Sequence, residues 1–438
     1  MTQQEALDIL KMGVHVYLTG EAGTGKTYVL DKYISWLRSH EIEPAVTAST
    51  GIAATHLNGV TIHSWSGIGV RDTISASDLE RMEEKRPLWS RLNNSKVLII
   101  DEISMLSGEF FDMADQVLRH IRRTNTPFGG MQVVCSGDFF QLPPVTRESV
   151  VPAYAFESEA WRQLNPVVCY LGEQYRHGGN EFLGILAAIR NRNVTEETRR
   201  LLVGRSHGEL KDTDKIMRLF THNRDVNAIN AEYLAKLKGK EKVFVMQQAG
   251  KGHHVELLMR GCLAPESLVL KKGAKVMFVK NDHGGQYVNG TQGTVTGLKD
   301  KVAVVKTRAG RTIQAESASW KLEEDGKVLA EIRQVPLRLA WAITVHKSQG
   351  MTLDEAEIDL SACFVPGQGY VALSRVRTLE GLYLKGFNNM ALAVDERISR
   401  ADGGFRRRSQ LAQERLSLLP PGQLKVKQEA FAARGGKK

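Results

Sequence analysis

The chain has 438 residues, 42% hydrophobic and 25% charged, which gives room for two or three domains and excludes wholesale disorder. No apolar run approaches the roughly 20 residues of a membrane span, the N-terminus lacks a secretory pattern, and Cys135, Cys169, Cys262 and Cys363 are too scattered for a disulfide framework or zinc ribbon. The formal net charge is +10, and residues 397–438, with eleven Lys/Arg against three Asp/Glu, carry +8 of it; this composition suits contact with an anionic polymer or a solvated terminus, in a protein expected to be soluble and intracellular.

In chain order, residues 14–19 read as a strand and 27–39 as a helix. Between them Gly20-Glu21-Ala22-Gly23-Thr24-Gly25-Lys26-Thr27 matches G-x-x-x-x-G-K-[ST]. A loop that wraps a phosphate with backbone N–H groups needs glycines where side chains would collide, and the following helix adds its positive end. Lys26 is then placed for the β- and γ-phosphates, and the Thr27 hydroxyl for Mg²⁺. Strands follow at 44–48 and 97–100, and the polar, mixed-charge stretch 66–94 between them reads as a small insertion. Asp101 and Glu102 emerge at the C-terminal end of the strand 97–100, where α/β sheets place ligands. Asp101 suits Mg²⁺, and Glu102 suits orienting and polarising a water. A strand at 132–136 leads into Gly137-Asp138-Phe139-Phe140-Gln141-Leu142-Pro143-Pro144, a turn that presents the Gln141 amide to a γ-phosphate or water. Alternation of helices with continuously apolar strands predicts a parallel sheet covered on both faces.

A second α/β pattern starts near Tyr170, with strands at 216–221 and 381–385 and a strongly apolar run at 338–345. Between 289 and 333 the periodicity changes to short runs joined by Gly-containing turns, which predicts antiparallel strands of a small inserted barrel. Arg176 and Arg375 are candidates for the cation that neutralises charge at a γ-phosphate. In the tail, Arg406-Arg407-Arg408 and Pro420-Pro421-Gly422 read as a basic helix followed by a break.

The order of these motifs resembles the bacterial branch of the petite-integration-frequency (PIF) family of DNA helicases, in superfamily 1B, with kinship to RecD-like helicases. The resemblance spans about residues 2–390 and rests on 18–27, Thr47-Ala48-Ser49-Thr50-Gly51-Ile52-Ala53-Ala54, 59–69, 100–105, 110–132, 137–144, 341–352 and 367–377. It implies an α/β fold of two RecA-like P-loop motor domains, 1–168 and 169–395. A wedge insertion at 66–94, an SH3-like β-barrel insertion at 289–333 and a basic C-terminal tail at 396–438 complete the expectation. It further implies ATP-driven 5′-to-3′ movement on single-stranded DNA with strand separation, ATP and Mg²⁺ as cofactors, and forked or G-quadruplex DNA as substrates.

Carried over by position, Lys26, Asp101, Glu102, Gln141, Arg176 and Arg375 take the ATPase roles, and Thr27 and Asp101 hold the metal. Gln3 reads adenine, and Gly20, Gly23, Thr24, Gly25 and Gly350 complete the nucleotide site. The DNA contacts implied are Thr50, His63 and Trp65 in the first domain and Thr344, His346, Lys347 and Ser348 in the second. Hydroxyls and Lys hold phosphates without reading bases, and a flat ring can stack on one. A core position for Trp65, a structural histidine at 346 and a capping glycine at 350 are the alternatives. The expected setting is the bacterial cytoplasm near the nucleoid, with no membrane partner and a monomer in solution. A nucleotide-dependent switch or loader, a binding module with a vestigial ATPase, and an RNA helicase share much of this pattern. Duplex opening separates the first from a motor, and activity that survives Lys26→Ala would mark the second; sugar preference stays open.

Overall fold

The computed structural model describes residues 1–57, 59–69, 71–144, 152–173, 180–206, 216–280, 282, 284–287, 289–308, 310–324 and 327–433. Contacts divide the chain into two units. The first comprises Met1–His177, Arg190–Arg192 and Val394–Lys438; the second comprises Gly178–Ile189 and Asn193–Ala393. Among the described residues no helix is long and apolar enough to cross a membrane.

The first unit is built on strands β1 (Val16–Gly20), β2 (Ala45–Ala48), β3 (Val60–Thr61), β4 (Val97–Asp101), β5 (Gln132–Ser136) and β6 (Val167–Leu171). They run in the order β3-β2-β4-β5-β1-β6, with every pairing parallel. All residues of β1, β2, β4 and β5 are buried. Cover on both faces is the physical reason these strands read as unbroken apolar runs. Helix α1 (Gln3–Lys11) precedes β1; α2 (Lys26–Ser39), α3 (Gly51–His56), α4 (Ile62–Trp65), α5 (Ala76–Glu83), α6 (Arg86–Asn94), α7 (Gly108–Ile121) and α8 (Glu159–Leu164) lie between the strands. In α2 the residues Val29, Leu30, Tyr33, Ile34 and Leu37 recur at helical spacing and pack with Leu18, Ile99 and Val134 of the sheet. The stretch 66–94 forms α5 and α6. A Ser75–Asp78 capping box starts α5, and a proline in the first turn starts α6.

Residues 394–433 are grouped with the first unit. The helix Glu396–Ser417 lies along β6, the edge of the sheet, where the Ser409 hydroxyl accepts the Tyr170 N–H at 2.9 Å. Covering an edge strand removes its row of unpaired backbone groups. Phe405 enters an aromatic cluster, its ring centroid 5.2 Å from Tyr17, 5.7 Å from Phe156 and 6.3 Å from Phe139. After the break at Pro420 the helix Pro421–Ala432 returns to the chain's start. Phe431 lies where a side chain on Gly13 would stand, and the amides of Gln413 and Gln428 donate to the Glu5 carboxylate and the Asp8 carbonyl. Helix and break fall where the sequence places them, but much of the basic charge is used inside the unit. Arg397 pairs with Asp395 and Glu157, Arg406 with Asp402, and Arg408 donates to Asn165 and Pro166.

Just before β1, His15 Nδ1 accepts the Val133 N–H at 3.1 Å, and burial holds the imidazole below its ordinary value of 6.5. The group is therefore neutral in the fold and protonates first in the unfolded chain. As pH falls below 6.5 the unfolded state binds more protons, so stability present above that value is lost. Urea midpoints measured from pH 7.5 down to pH 5 are expected to fall, and His15→Gln to flatten the slope.

The second unit has a parallel sheet in the order Ala342–Thr344, Met217–Phe220, Ala356–Leu360, Leu382–Phe387. It also has an antiparallel sheet in the order Thr312–Ala315, Ala303–Thr307, Gln292–Leu298, Lys275–Phe278, Leu337–Leu339. The strands Ala303–Thr307 and Thr312–Ala315 alternate in burial, and Val276, Val295, Val305, Ile313 and Leu337 share one core. Two smaller antiparallel sheets, Ala318–Glu324 with Lys327–Gln334 and Gln247–Gly250, and Ser267–Leu270 with Lys242–Val245, complete the unit's strands among the described residues. The apolar run 338–345, one stretch in sequence, serves two sheets. Ala340 N–H donates to Lys275 in the antiparallel sheet, while the Trp341 carbonyl accepts Arg218 N–H in the parallel one.

Candidate functional site

The loop between β1 and α2 turns on glycine. Gly23 and Gly25 have φ of 92° and 84°, in the left-handed region that favours residues without Cβ. A Cβ on Gly20 would come within 2.7 Å of Thr24 Oγ1 and 2.8 Å of the Leu171 carbonyl. The Glu21 carbonyl accepts from Thr24 Oγ1 at 2.9 Å and from Lys26 Nζ at 3.1 Å; Lys26 Nζ also donates to Gly20 O at 2.9 Å. The lysine is thus held against its own loop by carbonyls that phosphate oxygens can replace. Gln3 donates to the Thr24 carbonyl at 3.1 Å, whereas Gln4 turns to Asp8, so Gln3 is the glutamine at the loop.

Asp101, 6% exposed, ends β4, and Glu102 follows it at φ 51°, ψ 47°. A non-glycine residue in this conformation carries local strain and re-aims the chain sharply after a buried strand. Ser49 holds the turn: its hydroxyl donates to Glu102 O at 2.8 Å, and its N–H to Asp101 O at 3.1 Å. Burial and the charge of Asp101 together raise the Asp31 carboxyl above its ordinary value. Asp31 follows Thr27 by one helical turn, so Asp101 acts on the N-terminal part of α2. The Thr27 hydroxyl and Asp101 carboxylate are hard oxygen donors of the kind Mg²⁺ takes together with nucleotide phosphates. Among the described residues no group of three His, Cys, Asp or Glu forms a metal cage, and this donor set does not need one.

Gln141 is 6% exposed, its N–H bonded to Asp138 O at 2.9 Å, in the loop after β5. Because β1, β5, β4, β2 and β3 are parallel, everything that follows them lies at one edge of the sheet. Strand order sorts those residues. The phosphate loop, Gln141 and the acid pair follow β1, β5 and β4, while Thr50 and His63 follow the neighbouring β2 and β3. Thr50 Oγ1 accepts from Ala53 N–H at the start of α3. The half-buried His63 ring lies 4.0 Å from Phe110, and burial keeps it below its ordinary value, hence neutral at pH 7. Trp65 is 4% exposed, a packed core aromatic and not an open stacking face.

In the second unit, Thr344, His346, Lys347, Ser348 and Gly350 run from the end of a parallel strand through a short 3₁₀ turn. Thr344 and Ser348 are buried, and Ser348 donates to Val345 O at 2.7 Å. Burial, with His222 nearby, holds His346 below its ordinary value. Burial and the Arg338 cation do the same for Lys347. Gly350 has φ 78°. Two residues beyond Met351, Leu353 donates to the Arg375 carbonyl at 2.8 Å, which sets the two segments side by side. Arg375 is 1% exposed and folds back on its own helix, Nε donating to Val371 O and Nη2 to Ser374 Oγ. Arg176 lies outside the described residues.

A family model for PIF1-like helicases matches residues 3–200, and a second, for the DNA helicase Pif1 2B domain, matches 255–298. The whole chain aligns at 41% identity with an ATP-dependent DNA helicase Pif1 of a Psychrobacter species, covering 75% of that protein. The chain belongs to the PIF1-like helicase family. It is therefore an ATP-hydrolysing enzyme of the DNA-helicase class, with RecA-like parallel sheets and added antiparallel ones. Bacteroides Pif1 in complex with ADP-AlF4 superposes with a TM-score of 0.80 at 33% identity, covering 92% of this chain and 96% of that one. The Bacteroides Pif1 complex with ADP-AlF3 and single-stranded DNA gives 0.65 at 32% identity, with the same coverage.

Sequence reading of this PIF1-like helicase passed over one cluster altogether. Arg190 and Asp138, 2% and 1% exposed at their side chains, form a buried ion pair at 2.8 Å, and Tyr170, Asp402 and Arg406 extend it. Asp138 belongs to the motif 137–144 and Arg406 to the basic run 406–408, but nothing local pairs them.

Proposed function

We propose that this helicase moves 5′-to-3′ along single-stranded DNA and separates duplex, forked or quadruplex DNA, acting as a monomer. The observation that carries the reading is the strand order of the first unit. It puts the phosphate loop, the acid pair and the candidate DNA residues Thr50 and His63 at one edge of a single parallel sheet, with Thr50 after the strand next to that of the acid pair, so a shift at one set can displace the other. The relative crystallised with ADP-AlF3 and single-stranded DNA supports DNA as the track.

In this reading Gln3 sits against adenine, and Gly20, Gly23, Thr24 and Gly25 shape the loop around the phosphates. Lys26 leaves its two carbonyls to neutralise the β- and γ-oxygens. Thr27 and Asp101 hold Mg²⁺, which when bound offsets phosphate charge. Glu102 orients the attacking water and takes its proton, Gln141 reports the state of the γ-phosphate, and Arg176 and Arg375 supply the cations that offset developing charge. Gly350 permits close backbone approach. Thr50, Thr344, Lys347 and Ser348 hold DNA phosphates, His63 and His346 offer neutral rings, and Trp65 supports that face from beneath. The segment 66–94 keeps separated strands apart.

Two fluorescent duplexes, one with a 5′ and one with a 3′ single-stranded tail, test the proposal with ATP and Mg²⁺. Opening of the 5′-tailed duplex alone, lost in Lys26→Ala, is expected. Opening from the 3′ tail would overturn the polarity, and hydrolysis without opening would replace the motor with a switch or loader.

A further inference from the structure

The terminal helix Glu396–Ser417 reaches the phosphate loop. Arg406 sets its guanidinium 4.3 Å over the Tyr170 ring and donates from Nε to Asp402 and from Nη2 to the Tyr170 hydroxyl, both at 2.7 Å. The same Nη2 lies 3.8 Å from the Glu21 carboxylate. Glu21 is the loop residue whose carbonyl receives Thr24 and Lys26. On the far side of Tyr170, Arg190 donates to the same hydroxyl at 2.7 Å, and that hydroxyl donates to Asp402 at 3.1 Å. The phenol thereby uses its one proton and both lone pairs, and burial lifts it far above its ordinary value, so it stays protonated.

Arg190 then grips both oxygens of Asp138, at 2.9 and 2.8 Å, and lies 3.9 Å over the Phe140 ring. Asp138 in turn accepts the N–H groups of Phe140 and Gln141 through its carboxylate and carbonyl. Every member of the chain belongs to the first unit. Its ends, Glu21 and Gln141, follow the adjacent strands β1 and β5.

We propose that Arg406 is a positioning residue for the nucleotide: through Glu21 and Tyr170 it ties the phosphate loop to the Gln141 loop and offsets the one acidic side chain in the phosphate-binding segment. The proposal rests on residues 20–27 being the nucleotide site. The physical need is plain. A triphosphate brought to this loop meets the Glu21 carboxylate, and like charges repel unless a cation stands beside the acid. Arg406 supplies such a cation, and its fork to Asp402 and Tyr170 fixes where it stands. Lys26 gains as well, because the Glu21 carbonyl that holds it belongs to the residue being fixed.

The test is equilibrium binding of a fluorescent non-hydrolysable ATP analogue to the full chain, together with ATP KM and kcat, in a double-mutant cycle. Arg406→Ala is expected to weaken the analogue and raise KM about 2- to 5-fold, the range an exposed ion pair supplies. Maximal turnover should move less than KM. In the Glu21→Gln background the same substitution should do almost nothing, because the repulsion it unmasks is gone. Arg406→Lys, which keeps the charge but not the fork, should lose less than Arg406→Ala. Arg408→Ala, which removes contacts to Asn165 and Pro166 from the same helix, should leave nucleotide affinity unchanged. Equal losses from Arg406→Ala with and without Glu21→Gln, equal losses from Arg406→Ala and Arg408→Ala, or no loss from Arg406→Ala would each overturn the proposal and leave the helix as a brace for β6. A wild-type chain that fails to bind the analogue, indifferent to Lys26→Ala, would show instead that the nucleotide assignment itself is at fault.

Discussion

Glu102→Gln is expected to bind nucleotide as tightly as wild type while DNA-stimulated turnover falls about 10²–10⁴-fold, the usual contribution of a positioned general base. The amide keeps the size of the carboxylate and keeps the hydrogen bonds that fix the turn, since Ser49 donates to the backbone of Asp101 and Glu102 and not to the side chain. Proton acceptance and the negative charge are lost. Lys26→Ala should differ in kind, losing affinity and turnover together, because Lys26 both binds the ground-state phosphates and offsets the charge that develops on them in the transition state. Single-turnover hydrolysis with pre-bound ATP separates the two. A Glu102→Gln chain that hydrolyses bound ATP at the wild-type rate would remove Glu102 from the chemistry. Glu102→Gly would add a second lesson, since glycine relieves the left-handed strain at φ 51° while deleting the base.

The second large effect is on stability. Arg190→Ala leaves the Asp138 carboxylate buried with its bidentate partner gone, and removing one member of such a pair costs about 3–5 kcal/mol. Urea unfolding followed by the tryptophans of the first unit, Trp36, Trp65, Trp89 and Trp161, is expected to lose that much. Replacing both residues by apolar ones, Arg190→Met with Asp138→Leu, should restore much of it, because no buried charge then lacks a partner. The double variant should nevertheless hydrolyse ATP poorly, since the Gln141 loop would have lost the side chain that seats it. A double variant with wild-type turnover would confine the pair to stability.

The parts of this molecule that were legible in its sequence are those whose chemistry is written in consecutive residues. The run from Gly20 to Thr27 names its own loop, and the strands ending at Asp101 and Ser136 announce themselves because burial on both faces leaves no polar residue to interrupt them. Conformation was less legible. Nothing in the letters around Glu102 says that it adopts a left-handed backbone, and the run 338–345 hides a change of sheet because apolar residues look the same in either one. Pairings at long range were not legible at all. Arg190 finds Asp138 across 52 positions, and Arg406 finds Tyr170 across 236. The basic tail was only half legible for the same reason. Composition counts its arginines but cannot count Asp395, Glu157 and the Pro166 carbonyl, which satisfy two of them, Arg397 and Arg408.

The placement of the terminal helices has a consequence for synthesis. Strand β6 ends at Leu171, but the helix that covers its edge begins at Glu396, with the second unit encoded in between. On a ribosome adding about 5–20 residues per second, that interval lasts on the order of tens of seconds. Throughout it the sheet edge is bare, the ring of Phe405 is missing from its cluster, and Tyr170 lacks Arg406. The second unit has all its residues by Ala393, so it can fold while the first still waits. The unit that begins the chain is thus the one finished last, and a nascent chain stalled before residue 396 carries an open parallel edge that folding factors must shield.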